Sequence, residues 1–286
     1  MPHDLPSFVQ STTVSILQNG RELLVAGAVF AVVALIVGGR QAIAKARNAR
    51  GEVTTNLGLW VFDIIVMTPV FAVLTAAMGA AMQSGGLILV HPSFWAHWPQ
   101  WLVAFIAVFI GDFIGYWRHR LEHTAPLWPA HAIHHSDTRM TWTTLFRFHP
   151  INRISTVLID TAGLALLGFP PWALFINNMV RHYWGMFIHM DVPWTFGPLG
   201  RVIVSPVMHR WHHVRDGQGV GSNFATAFSV FDQAFGTYYV PRVCDVPLGV
   251  QENVGRNAFA QLLYPFKVAA RVLARPFARR VVREPA

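Results

Sequence analysis

Long apolar runs dominate the first half of this chain. Leu23 to Gly39 contains no charged residue between Glu22 and Arg40, and further apolar runs cover Leu57 to Met82 and Trp101 to Trp117. A helix of about 20 apolar residues crosses the hydrocarbon core of a bilayer. The 286 residues are 53% hydrophobic and only 13% charged, whereas about 25% of the residues in a soluble domain are charged. The sequence therefore predicts an integral membrane protein.

A fourth apolar stretch lies between Ile154 and Ile188 and is interrupted by Pro170 and Pro171. Since proline ends helices, this pattern predicts two helices that form a hairpin. With the three earlier runs, the prediction is an all-α, multi-span membrane bundle of about four to five membrane-embedded helices. The segment 256–284 alternates apolar and basic residues, which predicts an amphipathic helix on the membrane surface.

Basic residues are distributed unevenly between the loops. The 40–50 segment contains Arg40, Lys45, Arg47 and Arg50, whereas residues 83–100 contain no Lys or Arg. Because positive loops stay in the cytoplasm, the third span should bring His119 to the cytoplasmic face. The net charge of +8 is then explained by the membrane rather than by nucleic acid. The composition also favours a bacterial inner membrane.

We expect three parts in the chain. Residues 1–100 would form an anchor region with two transmembrane helices and an external loop. Residues 101–241 would form the catalytic domain, and residues 242–286 a basic amphipathic segment. The single cysteine, Cys244, excludes an intrachain disulfide and a cysteine-rich metal site.

Histidines are concentrated in the predicted catalytic part. Eleven of the 14 histidines lie between His119 and His213, and nine of them form a candidate metal site because imidazole is a common metal ligand. The nine are His119, His123, His131, His134, His135, His189, His209, His212 and His213. Residues three or four apart share a helix face, so each cluster directs two or three imidazoles to one place.

Nine imidazoles exceed the needs of one metal ion, since catalytic zinc takes three protein ligands. They favour a dinuclear site at the cytoplasmic ends of the spans. His149 and Asp112 are further candidates, as ligands or as hydrogen-bond partners of ligands. Asp112 lies about 10 Å from His119 along a helix axis, so any ligand that it supports would come from another helix.

The spacing of these residues closely resembles the fatty acid hydroxylase/sterol desaturase superfamily of membrane di-iron enzymes. The resemblance covers roughly residues 105–241. It rests on Asp112-x3-Tyr116-Trp117-x-His119-Arg120-x2-His123, Leu127-Trp128-x2-His131-x2-His134-His135-Ser136, Arg147-Phe148-His149-Pro150, His189, Ser205-Pro206-x2-His209-Arg210-x-His212-His213, and the closing residues Asn223-Phe224 and Phe231-Asp232-x2-Phe235-Gly236-Thr237.

This resemblance implies an enzyme that uses O2 to hydroxylate or desaturate a C–H bond of a lipid, of the sterol or fatty-acyl type. It implies two iron ions, Fe2+/Fe3+, as cofactor and O2 as co-substrate. Two external electrons per turnover imply a separate electron-donor protein, since the sequence has no haem, flavin or ferredoxin motif. Zinc is expected as a mis-metallating ion because it binds imidazole sites more tightly than Fe2+ does.

Three other interpretations remain open. His119, Glu122 and His123 fit the His-x-x-Glu-His pattern of a zinc metallohydrolase, with Glu122 as general base. If the chain is an oxygenase, Glu122 is expected to be a helix-surface residue without a role. A metal transporter or a haem protein with two histidine ligands would place histidines within the spans, whereas here they gather at the span ends.

Overall fold

The computed structural model describes the backbone of residues 5–281. Within that range most of the chain is helical, and its only β pairing is an isolated bridge between Val214 and Leu248. The helices are α1 (Leu5–Gly38), α2 (Arg40–Asn48), α3 (Arg50–Phe62), α4 (Thr68–Ser84), α5 (Ser93–Ala96), α6 (Gln100–Glu122), α7 (Trp128–His135), α8 (Pro150–Ser155), α9 (Ala162–Leu166), α10 (Pro171–Ile188), α11 (Pro206–His212), α12 (Val230–Ala234) and α13 (Ala258–Val281).

Three of these helical segments are long and apolar enough to cross a membrane. They are Ile16–Gly38 in α1, Arg50–Ser84 in α3 and α4, and Gln100–Glu122 in α6. Exposed apolar side chains such as Leu24 and Ile36 lie along α1, as expected for a helix surrounded by lipid. The structure confirms the predicted multi-span helical membrane protein.

The second span contains one π-helical turn, Asp63–Met67, between α3 and α4. Pro69 follows in the first turn of α4, and local π-helical geometry compensates for the hydrogen bond that a proline removes from a membrane helix. The predicted span therefore continues past this proline as one helical segment. Asp63 lies in the π turn, and its carboxylate is 3.3 Å from the Arg153 guanidinium.

The predicted break at Pro170 is confirmed. Helix α9 ends at Leu166 and α10 begins at Pro171. The π-helical turn Thr156–Thr161 joins α8 to α9, so this arm of the hairpin is one continuous helical segment from Pro150 to Leu166. The return helix α10 packs against α6, which places it beside protein.

A buried charge network joins the hairpin to α6. The Asp160 carboxylate accepts from the Arg118 and Arg181 guanidinium groups, each at 2.8 Å. A Cβ atom at Gly115 would overlap with the Arg181 guanidinium, so the missing side chain at this position leaves room for the arginine. Buried charges need such partners because desolvation otherwise costs several kcal/mol per ion.

The amphipathic C-terminal helix predicted for residues 256–284 is present as α13 (Ala258–Val281), and residues 282–284 lie outside the described part of the chain. Its Gln261 side chain is buried against the protein, whereas Phe259, Phe266 and Leu273 are exposed. These three residues are seven apart and therefore share one face. An apolar face of this kind suits a helix that lies on a membrane.

Candidate metal centre

Nine buried or nearly buried histidines gather at the C-terminal end of α6. One group contains five histidines and the other contains four, and in each group one nitrogen from every ring lies within 4.8 Å of the others. The five-histidine group consists of His119, His123, His131, His135 and His212, and the four-histidine group of His134, His189, His209 and His213.

Each sequence triplet is divided between the two groups. His131 and His135 belong to the five-histidine group, whereas the neighbouring His134 belongs to the four-histidine group. In the same way, His212 and His213 are adjacent in sequence but belong to different groups. Adjacent helical residues point about 100° apart, while residues four apart nearly coincide. Helices α7 and α11 therefore each contribute imidazoles to both groups.

Backbone carbonyls fix three of the imidazole rings. Nδ1–H of His119 donates to the Phe224 carbonyl at 2.7 Å. In the same way, Nδ1–H of His189 donates to the Gly185 carbonyl and Nδ1–H of His212 to the Ser222 carbonyl, each at 2.6 Å. A proton held on Nδ1 leaves the Nε2 lone pair free. These rings are thus oriented with Nε2 toward the group, which is how a histidine ligand is commonly prepared for a metal.

The Nε2 atoms of several grouped rings lie close to one another. The Nε2 atom of His119 lies 3.0 Å from those of His131 and His212, and the Nε2 atom of His189 lies 3.0 Å from that of His209. Ligands at right angles around an ion with bonds of about 2.1 Å are about 3.0 Å apart. The spacing and the all-nitrogen donor set therefore fit transition-metal ions.

Two further nitrogens support the same conclusion. Nε2 of His123 and Nε2 of His135 are buried and have no hydrogen-bond partner among the described residues. A buried polar atom without a partner costs about 1–3 kcal/mol. Coordination of a metal ion would satisfy both atoms.

The segment after α11 acts as a support for the rings. The Asp232 carboxylate accepts the N–H groups of Phe224 and Ala225 at 2.7 and 3.0 Å. Asn223 has a left-handed backbone with φ 60°, and its side chain donates to the Met208 carbonyl at 2.9 Å. The closing segment thereby holds the Phe224 carbonyl against His119.

Asp112 supports the same segment and not an imidazole. Its carboxylate accepts the N–H groups of Thr226, Ala227 and Phe228 at 2.8 to 3.2 Å and lies 3.6 Å from the Arg181 guanidinium. In this structure the carboxylate of Asp112 is occupied by backbone donors and contacts none of the grouped imidazoles, so its expected role beside a metal ligand remains a prediction.

His149 lies outside both groups. Its Nδ1 accepts from the Ile151 N–H at 3.2 Å, and its Nε2 donates to the Leu262 carbonyl at 3.1 Å. Both ring nitrogens are therefore used by backbone groups, and His149 caps α8. Nε2 of His182 lies 3.2 Å from the Glu22 carboxylate of α1.

Glu122 is not the surface residue that the oxygenase interpretation predicts. Its side chain is only 1% exposed, and it accepts from Arg118 at 2.7 Å and from Ser155. The carboxylate lies 3.3 Å from Nδ1 of His131, on the opposite side of the ring from the Nε2 atom that faces His119. A general base must reach the water that it activates, so this position opposes the zinc metallohydrolase.

A cavity of about 480 Å³ opens beside the five-histidine group. Its lining includes His123, His135 and His212, together with the apolar side chains of Trp128 and Val220. The remaining lining residues come from the 214–221 and 249–252 segments and include Arg215, Gln251 and Glu252. The cavity is therefore apolar beside the histidines and also carries polar groups.

Burial keeps the imidazoles neutral. It lowers the pKa of His189 and of His212 to about 4. Burial, followed by repulsion from neighbouring imidazoles, lowers the pKa of His131, His135 and His213 well below the usual value. Neutral imidazole is the form that binds metal.

The metal-free protein should therefore lose stability in acid. Below pH 6.5 the imidazoles bind protons in the unfolded chain but stay neutral in the folded chain. The free energy of unfolding is therefore highest above pH 6.5 and falls as the pH drops toward 4. His189 and His212 should each contribute about 2 kcal/mol less to the free energy of unfolding at pH 5 than at pH 8. Thermal unfolding of chelator-treated protein measures this loss, and an unchanged melting temperature between these pH values would contradict it.

Several groups at this site give no signal in the sequence. The carbonyls of Gly185, Ser222 and Phe224 hold three rings, yet every residue has a carbonyl. The cavity walls likewise come from loops without a motif. Glu122 belongs to the sequence motif His-x-x-Glu-His, but the motif does not predict that Glu122 is buried against the neighbouring hairpin, where it accepts from the Ser155 hydroxyl.

Comparison with known proteins agrees with this geometry. The sequence model of the fatty acid hydroxylase family matches residues 102–237. The ornithine lipid hydroxylase of Rhizobium tropici is 32% identical over 202 residues, which are 68% of this chain and 61% of that protein. Human alkylglycerol monooxygenase is 32% identical over 142 residues, which are 48% of this chain and 30% of that protein.

The chain thus spans about three fifths of the first relative and less than a third of the second. No solved structure matches the chain. Both relatives are named for the oxidation of lipids, and the matched residues include all nine grouped histidines. Together with the membrane-spanning helices, these matches show that residues 102–237 belong to the fatty acid hydroxylase family.

Proposed function

We propose that this protein is a membrane-bound di-iron oxygenase that uses O2 and two external electrons to hydroxylate or desaturate a C–H bond of a lipid. The observation that carries the proposal is the division of nine imidazoles into two groups whose Nε2 atoms lie about as far apart as neighbouring metal ligands. Two compact groups suit two metal ions. The names of the relatives support a lipid as substrate.

In this proposal the five-histidine group holds one iron ion and the four-histidine group holds the other. When bound, the irons would supply O2 activation and removal of hydrogen from an unactivated C–H bond. The chain itself contributes neutral ligands, and the carbonyls of Phe224, Ser222 and Gly185 keep three Nδ1 protons in place. The rings therefore need no reorientation before metal binds.

The cavity beside His123, His135 and His212 is our candidate for the place where the lipid reacts. Apolar side chains suit an alkyl segment, and Arg215 and Glu252 suit a polar headgroup. The relatives named for ornithine lipids and alkylglycerols make an amphiphilic lipid with a polar headgroup the substrate class that we favour. The substrate would be drawn from the bilayer around α6.

The distribution of basic residues also suggests where the site lies in the cell and from which side an electron donor would reach it. We propose that the histidine groups face the cytoplasm of a bacterial cell, because the basic 40–50 segment precedes the second span. A separate electron-donor protein would reach the site from that side. Residues 101–241 would form the catalytic domain, with residues 1–100 as anchor and 242–286 as a surface-lying segment.

The first test is the metal content of the purified chain. After anaerobic, iron-supplemented expression and purification in detergent, we expect two irons per chain, measured by plasma emission spectroscopy against protein concentration. Lipid extracts incubated with this protein, O2 and a chemical reductant should then contain a product that is heavier by one oxygen atom or lighter by two hydrogens. One tightly held zinc in place of two irons, with hydrolysed lipid, would overturn the proposal.

A further inference from the structure

A carboxylate inside the membrane-spanning part of the chain lies directly behind one of the grouped histidines. Glu122 is at the end of α6, and its Oε2 atom is 3.3 Å from Nδ1 of His131. The other ring nitrogen of His131, Nε2, is 3.0 Å from Nε2 of His119. Both side chains are 1% exposed, so no solvent separates them.

The hydrogen-bonding capacity of His131 makes this contact decisive. If Nε2 binds a metal ion, the ring proton must be on Nδ1, and that N–H then needs an acceptor. The Asn152 amide is also 3.3 Å from Nδ1, and Oδ1 of Asn152 has no partner among the described residues. Asn152 can turn this oxygen toward the N–H, but only Glu122 brings a negative charge.

Glu122 is itself held in place. The Arg118 guanidinium donates to it at 2.7 Å, and the Ser155 hydroxyl donates to its other oxygen. Arg118 also donates to Asp160 at 2.8 Å, so the arginine has a second carboxylate partner. The position of Glu122 is therefore fixed from two sides, while Arg118 does not depend on Glu122 alone.

We propose that Glu122 is a positioning residue that holds and polarises His131 as a ligand in the five-histidine group. A carboxylate that accepts the outer N–H of a ligating imidazole fixes the ring and strengthens its lone pair. The remaining rings with known partners use backbone carbonyls, which carry no charge. Glu122 would thus selectively strengthen metal binding in one of the two groups. This inference rests on the proposed function for the identity of the metals.

The test is metal affinity, measured with Zn2+ on the full-length metal-free protein by competition with a chromophoric chelator. The unaltered chain should bind two ions. Glu122→Gln should weaken one of them about 10- to 100-fold and leave the other unchanged. Asp160→Asn is the matched control, since it removes a buried carboxylate from the same arginine without touching His131. Both ions should keep their affinity within about twofold in this control.

A double-variant comparison separates positioning from general damage. In a His131→Gln background, Glu122→Gln should have no further effect on zinc affinity, because its effect is transmitted through His131. The melting temperature of the metal-free variants reports the structural effect separately. If Glu122→Gln does not fold, Glu122→Asp keeps the charge at a longer distance from His131 and should still lower the affinity for one of the two zinc ions.

Each outcome has one meaning. Unchanged affinity for both ions in Glu122→Gln, or an equal loss in Asp160→Asn, overturns the role of Glu122 and leaves the di-iron proposal intact. An additive loss in the double variant also overturns it. If the unaltered chain binds fewer than two ions, the dinuclear site itself is wrong.

Discussion

Replacing His212 by alanine is expected to abolish turnover and to lower the iron content from two ions per chain toward one. His212 belongs to the five-histidine group, and its Nε2 lies 3.0 Å from Nε2 of His119. The ring is buried and fixed by the Ser222 carbonyl, so alanine leaves one ligand position of the five-histidine group empty. The loss of metal affinity should be larger than the about 10- to 100-fold loss that follows removal of a hydrogen-bond partner of a ligand.

His134→Ala should give the same loss of turnover by emptying the other group. Because His134 belongs to the four-histidine group, the remaining ion should be the one held by the five-histidine group. His149→Gln is the matched control, since His149 is also buried but bonds only to backbone groups. It should keep two irons. Two irons and full turnover in His134→Ala or His212→Ala would contradict the dinuclear site.

The sequence predicts the participants of this site better than their grouping. Spacing alone identifies His131, His134 and His135 as one cluster, because residues three and four apart share a helix face. In the structure, however, His134 lies in the four-histidine group, whereas His131 and His135 lie in the five-histidine group. This division depends on how α7 is rotated between α6 and α11, and rotation of a short helix is decided by tertiary packing.

The fold shows a similar limit. Hydropathy is sufficient to predict the three spans because a bilayer admits few alternatives to an apolar helix. It does not predict the partners of Asp63 and Asp160, which are Arg153 and the pair Arg118 and Arg181. These contacts join residues from different helices, and single-residue patterns carry no information about which helices are neighbours.

His149 and Asp112 illustrate why residue type alone misleads. Both are buried and both can bind metal in principle, but their polar atoms are already used. His149 caps α8 with one nitrogen and contacts α13 with the other, while Asp112 holds the 226–228 segment. A buried polar group takes whichever partner the packing offers. Whether that partner is a metal ion is decided by neighbours that are distant in sequence.

Filling the cavity beside the five-histidine group is expected to reduce turnover without removing metal. Val220 lines this cavity and does not belong to either histidine group. In Val220→Trp, the larger side chain should occupy the space that we assign to the lipid. Turnover should fall by at least about tenfold, since a misplaced substrate loses the orientation that the reaction requires, while the iron content stays at two.

The matched control is Val202→Trp, because Val202 is similarly exposed but is not part of the cavity lining. It should retain both iron and turnover. Val220→Ala should keep activity, because it enlarges the cavity without blocking it. Full turnover in Val220→Trp would mean that the lipid reaches the irons from another side of the histidine groups, and the assignment of Arg215 and Glu252 to its headgroup would fail with it. Lost turnover together with lost iron would instead show that the tryptophan disturbs His212, since the 214–221 segment follows directly after α11. The iron measurement therefore decides whether this cavity holds the substrate or only supports the metal ligands.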